Sequence, residues 1–273
     1  MSDEALEIVL RRDRAVIAAA LIVLTALAWT HVLWLRDDMA MGGMDMTGFR
    51  MIPAGMGLMM PVSAPWQPIE FAFVLAMWTV MMVGMMTPSA APMVLLYARV
   101  GRQSAIQGKP LAATGWFLSG YLLAWAGFAL AATLAQWGLE RAALLTPMME
   151  GANDAFGGAV LIAAGLYQWS PLKDACLRQC QAPWLFIQRH GGFRRDATGS
   201  LRLGARHGGY CVGCCWALMA LLFVGGVMNV LWIAGISVFV LLERAVPAGR
   251  TIARLAGAGF LAGGAWLLAA AVH

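Results

Sequence analysis

The chain has 273 residues, of which 61% are hydrophobic and only 12% are charged. Soluble domains typically carry about 25% charged residues, whereas apolar runs of about 20 residues, the length that crosses a bilayer, recur in this chain. The composition therefore predicts a polytopic, all-α membrane protein and excludes an ordinary soluble domain. The formal net charge of +5 does not indicate nucleic-acid binding, because the basic residues lie in short loops between apolar runs.

The first third of the chain is predicted to contain one span and a long outer loop. A helix from about residue 15 to 35 follows three arginines, which places the N-terminus in the cytoplasm. Residues 36–69 form the predicted outer loop, which is rich in methionine. These methionines fit two interpretations: thioethers that converge on a soft metal ion, or side chains buried against helices or lipid. They are Met39, Met41, Met44, Met46, Met51, Met56, Met59 and Met60.

A second helix, predicted from about residue 70 to 100, carries a methionine stripe. Residues four apart share a helix face, so Met77, Met81 and Met85 lie in one row. Such a stripe usually packs a core, but thioethers also favour Cu(I). Pro88 removes one backbone hydrogen bond, which predicts a kink beside the stripe.

Two further helices are predicted at about 112–137 and 155–169. Residues 170–207 follow as the longest cytoplasmic loop, which carries seven Lys or Arg residues. Cys176 and Cys180 lie four apart in this loop and face the same way if the segment is helical. The possible histidine ligands nearby, each expected at the surface, are His190 and His207.

The segment CVGCCWALM places Cys211, Cys214 and Cys215 at the start of an apolar helix. Cys211, Cys215 and Met219 lie four apart and form a soft-sulfur row. Thiolates and thioethers favour Cu(I), thiolates also suit zinc, and free Cys and Met are also ordinary core residues. Cys211 and Cys214, together with the two loop cysteines, would close a four-thiolate site, although the spacing is not that of a zinc ribbon.

The cysteine count bears on the chemistry of these thiols. The five cysteines are an odd number, so at least one lies outside any intramolecular disulfide. All five fall in a segment predicted at the cytoplasmic side. A reducing compartment favours metal binding or free thiols over disulfides.

The long apolar run that begins with these cysteines is predicted to break at Gly225-Gly226. The break gives two helices, at about 208–225 and 228–243. Charge counting supports it, because Arg244 and the arginines that follow then stay on the cytoplasmic side.

The last predicted helix runs from about residue 252 to 272. Gly259 and Gly263 give it a face for close helix packing. The chain is thus predicted to be one transmembrane helical domain over residues 1–273, with about seven spans, a cytoplasmic N-terminus and an outer C-terminus.

Three motifs carry a family resemblance. They are MWTVMMVGMMTPSAAP at 77–92, KDACLRQC at 173–180 and GGYCVGCCWALM at 208–219. The chain from about residue 65 onward resembles an uncharacterised bacterial family of predicted metal-binding integral membrane proteins. The resemblance implies a helical protein of the bacterial inner membrane that binds a metal, without naming the metal or a reaction, and it does not include the methionine-rich loop.

These patterns lead to three hypotheses of function. The first is Cu(I) handling, as a transporter or membrane metallochaperone, along a route from thioethers on the outside to thiolates on the inside. The second is a membrane scaffold or assembly factor in which zinc pins the cytoplasmic loop. The third is a thiol–disulfide oxidoreductase, because CVGC has the C-x-x-C spacing.

The expected partners follow from the same reasoning. They are the lipid bilayer and a metal ion, with another membrane protein or a second copy of the chain left open, and no nucleic acid. The sequence shows no Ser/His/Asp grouping and no phosphate-binding motif, so enzymatic activity is the less favoured reading.

Overall fold

The computed structural model describes residues 3–40, 49–54, 59–62, 64–108, 111–146 and 148–272, with the side chains of 3–14, 40 and 106 left aside. Almost all regular structure in these residues is helical, which confirms the all-α class. The helices are α1 (Asp3–Ala40), α2 (Pro68–Ile106), α3 (Thr114–Arg141), α4 (Asp154–Gln168), α5 (Pro171–Gln181), α6 (Pro183–Arg189), α7 (Ala197–Ala220), α8 (Leu222–Gly225), α9 (Val230–Ala245) and α10 (Gly249–Ala270).

Five helical segments in the described residues are long and apolar enough to cross a membrane. The prediction of about seven spans is therefore not supported. The predicted fourth and sixth spans correspond to α4 and α9, which have 15 and 16 residues. At 1.5 Å per residue these helices cover about 22 and 24 Å, less than the roughly 30 Å of a bilayer core. The candidate spans are Ala15–Met39, Pro68–Ala105, Thr114–Arg141, Ala197–Gly225 and Gly249–Ala270.

The segment 170–207, predicted as a loop, is instead largely helical. It contains α5, α6 and the first turns of α7, which begins at Ala197 rather than at residue 208. Two N-caps explain this: Ser170 Oγ accepts a hydrogen bond from the backbone N–H of Lys173, and the Asp196 carboxylate accepts one from that of Gly199. Such caps satisfy backbone donors that the start of a helix leaves unpaired.

The segment 36–69, also predicted as a loop, contains the end of α1 and a short antiparallel hairpin. Its strands are β1 (Phe49–Met51) and β2 (Met59–Pro61). A buried ion pair anchors the hairpin to α2, with 2.9 Å between Arg50 Nη2 and Glu70 Oε2.

Only some of the methionines of this segment lie in the described residues. Met39 and Met51 are buried, which favours the packing interpretation for these two, while Met59 and Met60 are half-buried. The remaining four lie outside the described residues: Met41, Met44, Met46 and Met56.

Helix α3 packs against α7 through glycines that allow the two backbones to touch. A Cβ on Gly204 would lie 1.9 Å from the carbonyl oxygen of Phe117, and a Cβ on Gly120 would lie 2.0 Å from that of Leu201. Gly208 continues the same face one turn later, with the Tyr121 carbonyl 2.9 Å away. This contact holds the cysteine-bearing part of α7 against the middle of α3.

Helix α10 packs on α4 through a different pair of glycines from the one predicted. A Cβ on Gly264 would lie 2.8 Å from the Gly158 carbonyl oxygen, and a Cβ on Gly257 would lie 2.7 Å from the Trp169 ring, whereas an added Cβ on Gly259 or Gly263 would meet no atom within 4 Å. The prediction placed the contact on the wrong face of α10, because this helix carries glycines on more than one side.

The predicted break in the apolar run is present. Helix α8 ends at Gly225, and Gly226 has a φ of +92°, a conformation that glycine adopts readily. The chain then returns as α9, whose first turn is capped by Asn229. The return brings the far end of α9 back to the level of the α7 cysteines.

Candidate metal site around the cysteines of α7

Four cysteines from two helices form a group that we call the thiol cluster (Cys180, Cys211, Cys214 and Cys215). The three cysteines of α7 are each 1% exposed, and their spacing places them along one side of the helix. The Sγ atoms of Cys180, on α5, and Cys214 are 4.0 Å apart. Two thiolates on one ion, with bonds of about 2.3 Å, are at most about 4.6 Å apart. This pair can therefore hold one ion without backbone movement.

The cysteines are free thiols with defined partners. The thiols of Cys214 and Cys215 both donate to the carbonyl oxygen of Cys211, at 3.1 and 3.0 Å. Hydrogen bonds from Cys180 to the sulfurs of Cys211 and Cys214 raise the pKa of the Cys180 thiol well above its ordinary value. An incoming soft cation would replace this proton between the Cys180 and Cys214 sulfurs.

Arg244, at the end of α9, is the principal site residue that the sequence analysis missed. Its Nη2 lies 3.2 Å from Cys214 Sγ, 3.3 Å from Cys215 Sγ and 3.1 Å from the Cys211 carbonyl oxygen. The residue is only 8% exposed, whereas charge counting treated it as a loop residue. One sequence feature could have indicated this position: Arg244 and the neighbouring Glu243 directly end an apolar run.

Two side chains connect the thiol cluster to the methionine-rich helix α2. Nη1 of Arg244 donates to Ser89 Oγ at 2.6 Å. Tyr121, on α3, places its Oη 3.0 Å from Cys211 Sγ and 3.1 Å from the Met86 carbonyl oxygen. Helix α7 packs mainly against α3 and α5, and α2 mainly against α1 and α3. These bridges, together with the 2.9 Å contact between Tyr97 Oη and Ser200 Oγ, link α2 to α7.

The predicted methionine stripe of α2 lies in the core. Met77, Met81 and Met85 are all buried. Met77 shares a face with Gly84, seven residues on, and a Cβ on Gly84 would touch Ala28 of α1. Met85 lies one turn before Ser89, on the face that reaches Arg244. Met219 is fully buried two turns beyond Cys211.

Cys176 lies next to the thiol cluster, but no hydrogen bond joins its sulfur to those of the cluster among the described side chains. Its Sγ packs against Gly213, 2.9 Å from where a Cβ on that glycine would lie, and burial raises the pKa of its thiol. In the described part of the chain, no group of three or more His, Cys, Asp or Glu side chains is arranged to hold a metal ion. The four-thiolate site of Cys176, Cys180, Cys211 and Cys214 stays a prediction, and the closest sulfur pair among the described residues is that of Cys180 and Cys214.

A buried polar network fixes α5, and with it Cys180, against α9. Lys173 Nζ lies 2.9 Å from Glu243 Oε2, and Gln168 Nε2 donates to Glu243 Oε1 at 3.1 Å. Gln181, next to Cys180, donates to the backbone carbonyl of Glu243 at 2.8 Å. Glu243, the residue beside Arg244, thus helps to position the thiol of Cys180.

His207 is buried, contrary to the prediction that it lies at the surface. It is 3% exposed and is surrounded by the rings of Phe117, Tyr121 and Phe186. Its Nδ1 has no hydrogen-bond partner among the described residues. His207 lies one turn before Cys211 on the same helix face, while His190 is half-buried beside the Phe186 carbonyl oxygen.

Comparison with known proteins identifies one related family. A family model described as PpoB2, copper chaperone, matches residues 75–267. The matched region includes the methionine stripe of α2, all five cysteines and Arg244, and it leaves out the hairpin segment. No curated protein and no solved structure matches the chain.

Proposed function

The chain belongs to the PpoB2 copper chaperone family, and we propose that it holds copper as Cu(I) at the thiol cluster. The observation that carries this proposal is the 4.0 Å separation of the Cys180 and Cys214 sulfurs in a buried setting. Sulfur ligands favour Cu(I), whereas Cu(II) prefers nitrogen and oxygen in a tetragonal arrangement. A site whose ligands are cysteines and which excludes water suits the reduced ion.

We further propose that the protein works within a membrane, with residues 1–273 as one transmembrane domain in the bacterial inner membrane. Large apolar side chains are exposed on several helices, among them Leu27, Leu231, Leu255 and Trp266. Exposed apolar surface on this scale marks an interaction surface, and lipid is the partner that suits five long apolar helical segments. The cytoplasmic position of the N-terminus and the outer position of the C-terminus remain part of this proposal.

The contacts favour a path for the ion from α2 to α7. Met85 lies on the α2 face that carries Ser89, and Ser89 contacts Arg244. We assign thioether positions along this path to Met81 and Met85, with Met77 further towards α1, and a second thioether position on α7 to Met219. Several weak sites of graded strength allow an ion to leave as well as to enter.

Cu(I) affinity of purified variants tests the proposal. The protein is purified in detergent under reducing conditions, loaded with Cu(I) against a competing chelator, and its bound metal is measured by mass spectrometry. Cys214→Ser and Cys180→Ser are each expected to lower Cu(I) affinity strongly, because each removes one of two ligands. Cys176→Ser is the matched control, since its sulfur packs on Gly213.

The outcomes separate the proposals. Unchanged Cu(I) affinity in Cys214→Ser would refute the thiol-cluster site. Zinc bound in place of copper, and lost in Cys176→Ser, would support the zinc scaffold instead. A disulfide that forms between Cys211 and Cys214 and exchanges with a thiol substrate would support the oxidoreductase.

A further inference from the structure

We infer that Arg244 makes the thiol cluster selective for monovalent soft cations over divalent ones. The inference rests on the Cu(I) site proposed above and adds the physical reason for its selectivity. It concerns the charge of the occupied site, which the choice of sulfur ligands alone does not determine, because thiolates also bind divalent zinc.

The geometry gives Arg244 a fixed place beside the sulfurs. One terminal nitrogen, Nη2, contacts the sulfurs of Cys214 and Cys215, while the other, Nη1, donates to Ser89. The guanidinium is permanently protonated in proteins. Its positive charge is therefore a constant feature of the site at any physiological pH.

The neighbouring carboxylate does not cancel this charge. Glu243 is buried and accepts hydrogen bonds from Lys173 and Gln168. The ion pair with Lys173 is complete in itself, with one charge of each sign. The charge of Arg244 is thus left to be balanced at the thiol cluster.

Counting charges then distinguishes the ions. Cu(I) or Ag(I) held by two thiolates forms a group of charge −1, which Arg244 neutralises. Zn(II) or Cd(II) held by two thiolates is neutral, so the charge of Arg244 remains unbalanced in a buried site, which is unfavourable. A third thiolate would restore the balance, but the described residues offer no three-ligand group.

The test compares two soft, redox-inert probes that differ in charge, Ag(I) and Cd(II). Their affinities for the full-length protein in detergent are measured by competition with a chromophoric chelator. In Arg244→Met the ratio of Ag(I) to Cd(II) affinity is expected to fall about 30-fold or more, the scale for removing one partner of a buried charge pair. Arg244→Lys keeps the charge and is expected to recover most of the ratio.

A purely structural role for Arg244 gives a different result. Loss of its links to α2 and α7 would lower the affinities for Ag(I) and Cd(II) together, in Arg244→Lys and Arg244→Met alike. The ratio of the two affinities would then stay unchanged, and that result would overturn the inference. Arg254→Met, which removes an exposed arginine, is the control for total charge and is expected to leave the ratio as in the parent protein. Failure of the parent protein to bind Ag(I) or Cu(I) at the cluster would overturn the proposed function itself.

Discussion

Replacing Gly204 with alanine tests the close contact between α3 and α7 that supports the thiol cluster. The added Cβ would lie 1.9 Å from the Phe117 carbonyl oxygen, and real Cβ atoms essentially never approach closer than 3.0 Å. The two backbones must therefore separate by at least about 1.1 Å, and overpacking of this kind costs about 1–3 kcal/mol. The same shift would carry Tyr121 Oη, now 3.0 Å from Cys211 Sγ, out of hydrogen-bonding range.

Gly209→Ala is a matched control on the same helix. A Cβ at Gly209 would meet no atom within 4 Å, so this change is expected to stabilise α7 by up to about 1 kcal/mol through helix propensity. Thermal unfolding in detergent measures both variants, and the Cu(I) competition assay measures the effect on the cluster. Gly204→Ala is expected to lower both the unfolding temperature and the Cu(I) affinity. If the two alanine variants behave alike, the close contact between α3 and α7 is refuted.

The remaining predictions concern buried polar contacts. Lys173→Met leaves the Glu243 carboxylate without its ion-pair partner, so the free energy of unfolding is expected to fall by about 3–5 kcal/mol in thermal unfolding. Adding Glu243→Gln is expected to recover most of this loss. Equal losses in the single and double variants would contradict the pairing. Arg50→Met similarly leaves the Glu70 carboxylate without its ion-pair partner and releases the hairpin. Limited proteolysis between residues 49 and 61 is therefore expected to accelerate, while Cu(I) affinity stays unchanged. Protection equal to that of the parent protein would argue against the Arg50–Glu70 anchor. Trp78→Phe removes a buried donor to Gln136, at 2.8 Å, and is expected to cost about 1–3 kcal/mol in thermal unfolding; an unchanged unfolding temperature would count against that bond.

Long apolar runs were enough to predict where most of the helices lie. Helix α3, for example, was expected at about 112–137 and is observed at Thr114–Arg141. The start of α7 was missed because its first turns are polar and carry Arg202 and Arg206, so hydropathy marks them as a loop. Their helical form depends on the Asp196 cap and on the glycine face that packs against α3, which are local and tertiary effects rather than composition.

The α7 face of the candidate site was predicted from spacing alone, since residues three and four apart must share a side of a helix. That Cys180 meets Cys214 depends instead on how α5 docks against α7, and the buried Lys173–Glu243 pair also ties α5 to α9. Arg244 was assigned to a loop because charge counting assumes that arginines avoid apolar surroundings. That assumption fails for Arg244, because its guanidinium has buried hydrogen-bond partners in the Ser89 hydroxyl and the Cys211 carbonyl.

The two adjacent charged residues at the end of α9 link two movements that would otherwise be independent. Glu243 holds α5 and its Cys180, while Arg244 holds the sulfurs of α7 and the hydroxyl of Ser89. A turn of this short segment about the helix axis would displace Cys180 and the positive charge of Arg244 in the same step. Opening of the cluster and displacement of the positive charge would therefore occur together, so that a single motion of the α9 end would act on both the sulfurs and the charge of the proposed Cu(I) site.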